Sequence, residues 1–145
     1  MKKQLLLLVM MLLPLVANAD QSGICGPNLT WTYVDATHTL TISGTGEMTS
    51  YRYNNAPWYG IRNSIQNVIL ESGITSIGER AFCDCTGLTS VTIHNTPTYM
   101  GTEIFQNCEN IKEAVFDCET VPSLLQYKKS LEKITMTERV TSIAA

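Results

Sequence analysis

Ile77-Gly78-Glu79-Arg80-Ala81-Phe82-Cys83-Asp84-Cys85 is matched by Met100-Gly101-Thr102-Glu103-Ile104-Phe105-Gln106-Asn107-Cys108, which starts 23 residues later. Glycine, phenylalanine and the final cysteine recur at the same offsets. The same interval of 23 separates three windows of apolar-x-x-apolar-x-apolar form, Ile65–Leu70, Leu88–Ile93 and Ile111–Phe116. A fourth window, Leu131–Met136, follows after 20 residues. Periods of this length identify a chain built from stacked coils. Within each coil the apolar-x-apolar pair is one short strand, with both side chains on the same face. One coil cannot bury that face alone. Stacking aligns the strands into a parallel sheet with a continuous core, so a β-rich solenoid is predicted. Leu88, Val91 and Ile93 should point inward, as should Ile77, Ala81 and Phe82 on the return path. Gly78 and Gly101 are expected to supply tight backbone turns.

The residues between and before the inward pair should point outward. These are Asn67 and Ile69, Ser90 and Thr92, Glu113 and Val115, and Lys133 and Thr135. They predict two ladders on an open sheet face, one polar to charged, the other alternating apolar residues with threonine. The open face is where a solenoid meets its partners. It could equally be a solvated face with no ligand. A patch this small falls short of the roughly 800 Å² per partner of a standard interface. Weak, multivalent or assembly-dependent binding is therefore favoured over tight monovalent binding.

Upstream of the repeat the pattern changes. Leu29, Trp31 and Tyr33 alternate with polar neighbours, as do Leu40 and Ile42, with Asp35–His38 between them. That predicts a β-hairpin with a four-residue turn. Gly44-Thr45-Gly46 reads as a strand break rather than a phosphate-binding loop. Tyr51, Tyr53, Trp58 and Tyr59 form an aromatic cluster. Two readings stand: the rings cover the apolar end of the first coil, or they form a platform for a sugar or peptide. Burial of Trp58 separates the two. Beyond Phe116 the repeat weakens, although Val121, Leu124 and Leu125 can still fill the interior, and Glu138–Ile143 echoes Ser72–Ile77.

Met1, Lys2 and Lys3, the apolar run Leu5–Val16 and the small-x-small site Ala17–Ala19 form the pattern of a secretory signal peptide. The apolar run is shorter than the roughly 20 residues of a membrane-spanning helix. The expected organisation is a signal over 1–19, a hairpin cap over 20–62 and repeats over 63–145. The whole chain carries −3, and removing Lys2 and Lys3 leaves eight basic against thirteen acidic side chains. That balance argues against nucleic acid and against an anionic membrane surface. Cys25, Cys83, Cys85, Cys108 and Cys118 are an odd set, so at least one thiol stays unpaired in a monomer. Cys85 and Cys108 hold equivalent places in successive coils, as buried thiols or as a disulfide. Cys83 stands where a surface residue is expected.

Cys25–Trp31, Leu40–Gly46 and Ala56-Pro57-Trp58 resemble the N-terminal element of BspA-type leucine-rich repeat proteins, and Ile74–Ile93 is similar to their repeat along its length. The resemblance implies a β-rich leucine-rich-repeat solenoid, horseshoe-like with little helix. It implies a bacterial protein at the cell surface or secreted, engaged in adhesion to host proteins or other cells. Two features depart from the family's usual pattern: there are about three repeats and a fragment, and no C-terminal anchoring domain is visible.

No catalytic constellation is legible. His38 and His94 are the two histidines, and neither is flanked by an acid and a nucleophile. No metal-ligand spacing is present and no cofactor is expected. Asn28-Leu29-Thr30 matches a glycosylation sequon, relevant only in a eukaryotic secretory pathway. The leading expectation is protein–protein interaction or adhesion. A carbohydrate-binding module using the aromatic cluster is the alternative, and a truncated remnant without independent function is a third.

Overall fold

The computed structural model describes residues 20–53, 55–125 and 128–144; the expected export signal lies outside the described residues. The chain forms β1 (Gln21–Gly26), β2 (Leu29–Val34), β3 (Thr39–Gly44), β4 (Gly46–Glu47), β5 (Asn67–Leu70) and β6 (Ile74–Ile77). It continues through β7 (Ser90–Ile93), β8 (Tyr99–Met100), β9 (Glu113–Phe116), β10 (Thr120–Val121), β11 (Lys133–Met136) and β12 (Ser142–Ile143). Helix among the described residues is limited to 3-10 turns at Asp35–Thr37, Tyr59–Ile61 and Ser123–Leu125.

The main sheet has seven strands in the order β1-β2-β3-β5-β7-β9-β11. The predicted hairpin is β2 and β3, paired antiparallel with Val34 opposite Thr39. β3 then pairs parallel with β5, so Leu40 lies beside Val68 and Ile42 beside Leu70. The hairpin and the coils thus share one sheet and one core. β1 is an addition that the alternation did not reveal. Its Gly23 faces Trp31, and a side chain there would meet the indole Nε1 at 2.7 Å. A strand written around glycine carries too little apolar periodicity to be read.

The six named inward residues, Ile77, Ala81, Phe82, Leu88, Val91 and Ile93, are at most 1% exposed, whereas Ile134 and Met136, the equivalent pair of the fourth window, are 52 and 49% exposed. Trp58, Phe82 and Phe105 stack as a ladder, with ring centroids 5.5 and 5.4 Å apart and planes 17° and 15° from parallel. Trp58 also meets Trp31 and Tyr51 edge-on, and its Nε1 donates to the Ala81 carbonyl at 2.8 Å. The ladder therefore joins the N-terminal strands to the first two coils.

Gly78 opens a turn that the Ala81 N–H closes on its carbonyl at 3.3 Å, but neither it nor Gly101 turns the chain through a left-handed backbone. Neither has positive φ. A Cβ on Gly78 would lie 2.0 Å from the Thr49 carbonyl oxygen, and one on Gly101 would lie 2.3 Å from the Glu79 nitrogen. Their role is close approach of backbone to backbone between coils. The left-handed positions fall instead on Arg80, Asp84, Glu103 and Asn107, with φ of 54°, 61°, 57° and 60°. These are two equivalent pairs in successive coils, and their side chains interact: Arg80 with Glu103 as an ion pair, Asn107 Nδ2 to Asp84 Oδ1 at 2.7 Å.

The five cysteines are free thiols, so the disulfide reading of Cys85 and Cys108 does not hold. The cause is translation. Cys85 N bonds to Phe82 O and Cys108 N to Phe105 O in the same local turn. The two side chains are therefore translated copies rather than facing halves of a bridge, and the Cys85 and Cys108 thiols hydrogen-bond to each other. Cys108 Sγ in turn donates to the Phe82 carbonyl at 3.0 Å.

On the return path β4, β6 and β8 form a second, parallel sheet, while β10 and β12 pair separately. The break falls between β8 and β10, where the repeat weakens. Thr96 bridges it, its hydroxyl donating to the Thr120 carbonyl at 3.2 Å and accepting from the Thr120 N–H at 2.9 Å.

Candidate functional site

Strand register brings the predicted outward residues into two rows. Asn67, Ser90, Glu113 and Lys133 are successive partners, as are Ile69, Thr92, Val115 and Thr135. Neighbours along a row are separated by the strand spacing of about 4.8 Å. Both rows run further than predicted. Thr39 precedes Asn67, and Thr41 precedes Ile69 and itself pairs with Thr32, which pairs with Ser22. One row therefore crosses all seven strands as Ser22, Thr32, Thr41, Ile69, Thr92, Val115 and Thr135. It carries no charge, and six of its seven members are β-branched. Such side chains are stiff at χ1 and sit well on a pleated face. Thr32, Thr39 and Thr41 were missed as face residues because the hairpin was assigned to a cap. The signal was present in the alternation over 29–42.

Charge gathers at one end of the face. Lys112 meets Glu132 at 3.4 Å, and Lys133 meets Glu113 at 3.5 Å. The two coils thus carry the same pair of charges in reversed order. Asn67 Nδ2 donates to the Thr37 carbonyl at 3.0 Å and to Thr39 Oγ1 at 3.5 Å, which ties the first coil to the hairpin.

The four aromatic residues proposed as a platform do not share a surface. Trp58 is 1% exposed and Tyr51 7%, with the Tyr51 hydroxyl donating to the Cys25 carbonyl at 3.2 Å. Burial drives the Tyr51 phenol well above its ordinary range. Tyr53 is exposed but covered on one face by the Arg80 guanidinium at 3.7 Å, and Tyr59 carries Arg62 at 4.0 Å. The platform is corrected accordingly: two of its rings belong to the core, because their apolar area closes the space between hairpin and first coil.

The remaining polar groups make local contacts. His38 Nδ1 lies 3.2 Å from the Tyr33 hydroxyl, and His94 Nδ1 lies 3.1 Å from Asp117 Oδ2. Asp117 is held below the usual carboxylate range by the Thr137 hydroxyl at 2.7 Å, by His94 and by Arg139. Cys83 is half-buried rather than exposed, and its Sγ donates to Gln106 Oε1 at 3.6 Å. Among the described residues no group of three or more His, Cys, Asp or Glu is placed to hold a metal ion. No helix among them is long and apolar enough to cross a membrane.

Residues 57–145 match the BspA type leucine rich repeat region family, in six copies. Among solved structures, a leucine-rich repeat protein from Eubacterium ventriosum is 27% identical with a TM-score of 0.58, over 88% of this chain and 40% of that one. A leucine-rich repeat protein from Bacteroides ovatus is 28% identical with a TM-score of 0.44, over 55% of this chain and 21% of that one. The chain thus spans less than half the length of either. No curated protein matches. The repeats, their register and the family match over more than half of the residues agree: this chain belongs to the BspA-type leucine-rich repeat family.

Proposed function

We propose that this chain is an exported bacterial protein, secreted or held at the cell surface, that binds a protein partner through the open face of its main sheet. It acts by adhesion or assembly rather than by catalysis. The observation that carries the reading is the uncharged, β-branched row from Ser22 to Thr135, unbroken across all seven strands. A rigid row needs little side-chain ordering on contact, which lowers the entropic cost of binding. The partner class is a protein of the host matrix or of another cell surface. The N-terminal basic and apolar segment supports export.

The test is capture from host-matrix and cell-surface extracts by the purified protein, with circular dichroism as the control for folding. A specific protein should be retained, and it should be lost from the Ile69→Asp, Val115→Asp double variant while the spectrum stays unchanged. Capture that survives the double substitution removes the sheet face from the mechanism. A folded protein that captures nothing removes the adhesin reading.

A further inference from the structure

The main sheet ends in two edge strands, β1 and β11, and they are built differently. On β1 the core face carries Gln21 and Gly23, opposite Tyr33 and Trp31, and offers a neighbour no apolar side chain. On β11 the core face carries Ile134 and Met136, both about half exposed, because no strand among the described residues covers them. With Phe116, Leu125, Leu131 and Ile143 they line an apolar groove of about 400 Å³ at the end of the stack. The backbone is open on the same side. Lys133 and Thr137 donate their N–H groups to the carbonyls of Lys112 and Phe116. Alternate residues of a strand bond to opposite sides, so Thr135 also faces β9, while Ile134 and Met136 present N–H and C=O to the free edge. No proline and no bulge blunts this edge.

The strand that fits this edge is the same strand of a second copy. Antiparallel pairing about a two-fold axis at Thr135 sets Ile134 opposite Met136 of the second copy, and Met136 opposite its Ile134. Both are hydrogen-bonded pairs, in which each residue gives and accepts, so every open backbone group of the two strands is used. Apolar side chains meet on the core face, and Thr135 meets Thr135 on the open face. Lys133, already held by Glu113, meets Thr137. The flanks brought together are Glu132-Lys133 and Glu138-Arg139, each neutral in sum, so no net repulsion opposes the approach. Moving the axis to Ile134 would set Met136 against Glu132, and moving it to Met136 would set Ile134 against Glu138. Because β1 lacks the apolar pair, the contact closes on itself rather than growing head to tail. We propose that the protein forms a two-fold dimer by antiparallel pairing of β11 with β11 of a second copy, which closes the apolar ends of both stacks. The uncharged row then continues through Thr135 into the second copy and makes the open face bivalent. The dimer itself does not rest on the protein-binding reading.

The test is sedimentation equilibrium of the purified protein between about 1 and about 500 μM. A monomer–dimer equilibrium with a Kd on the order of 10 μM is expected, since one strand edge and one coil end make a small contact. Ile134→Lys and Met136→Lys each place an ammonium in the shared core face and should weaken the dimer about tenfold or more. Circular dichroism should stay unchanged, because both side chains are half exposed in the monomer. Ile24→Lys, on the opposite edge strand, should leave the dimer intact. With Cys83→Ser removing the half-buried thiol, Thr135→Cys should cross-link under oxidised glutathione and Ser22→Cys should not. Exchange of the Ile134 and Met136 amides, early in dilute protein, should slow as concentration rises. A protein that stays monomeric up to about 500 μM overturns the proposal and leaves the end of the stack to a different occupant. Growth beyond the dimer, a dimer that survives both lysine substitutions, or cross-linking through Ser22→Cys and not Thr135→Cys overturns it as well.

Discussion

At single positions the distinction between a strained backbone and a crowded one decides what a substitution does. Gly78 has ordinary φ but no room, since its Cβ would sit 2.0 Å from the Thr49 carbonyl oxygen. Gly78→Ala should therefore cost roughly 3 kcal/mol or prevent folding, because rigid backbone on both sides must move. Gly60 has nothing within 4 Å of the same probe position and no positive φ. Gly60→Ala should be neutral or stabilise by about 0.4–1 kcal/mol through the unfolded chain. Urea denaturation of the two variants checks both signs. The thiols make a second prediction. Burial pushes the Cys25 thiol up to about 11, and burial with the Asp84 charge does the same for Cys83. The hydrogen bond with Cys108 and burial keep Cys85 protonated. At pH 8 alkylation of the native protein should label Cys83 alone and slowly, whereas all five should react after denaturation. Fast labelling of any other cysteine in the native state would contradict the burial described above.

Between elements, register is set by what each strand places beside its neighbour. The strands β9 and β11 are matched by Lys112 with Glu132 and by Glu113 with Lys133, and a slip of one residue would set like charges side by side. Just past the strands, Asp117 joins three coils by accepting from Thr137, His94 and Arg139. Its folded pKa lies below the unfolded one, led by the Thr137 and His94 hydrogen bonds. The stability it contributes is therefore present above the unfolded carboxylate pKa of about 3.9 and is lost as pH falls through the lower folded value. Asp117→Asn should lower the thermal midpoint at pH 7 and flatten its decline between roughly pH 5 and pH 2. Parallel midpoint-against-pH curves for variant and wild type would show that the carboxylate contributes nothing through this linkage.

Over the whole molecule, stability runs along the stack. Trp58 touches Trp31, Tyr51 and Phe82 and so links the hairpin to the first coil. Trp58→Ala should cost about 3–5 kcal/mol, consistent with loss of a fully buried large ring. The opposite end is looser. Ile134, Met136 and Ile143 are 52, 49 and 68% exposed, and every residue of β11 and β12 is exposed. Native-state hydrogen exchange should show β5 and β7 among the last amides to exchange and β11 and β12 among the first. Uniform protection across the sheet would mean that the coils do not act as nearest-neighbour units.

The sequence by itself determined the solenoid, its inward residues and the two outward rows from Asn67 to Lys133 and from Ile69 to Thr135. A side-chain period of two inside a coil period of 23 leaves one arrangement that buries the apolar faces of β5, β7 and β9. It also placed the hairpin, whose alternation is as plain as that of the coils. What lay beyond it depends on contacts between coils that are distant in sequence. The tertiary structure decided that β3 joins β5, which extends the open face of the sheet onto Thr39, Thr41 and Thr32. It decided that Trp58 is a rung of the core rather than a ring for a ligand, that Gly78 and Gly101 serve close approach, and that Cys85 and Cys108 stay unbridged. It also made a depression over Thr89 and Ser90, since a concavity depends on the lengths of side chains stacked from four coils at once. Local pattern sets which face a residue takes; only stacking sets what stands beside it.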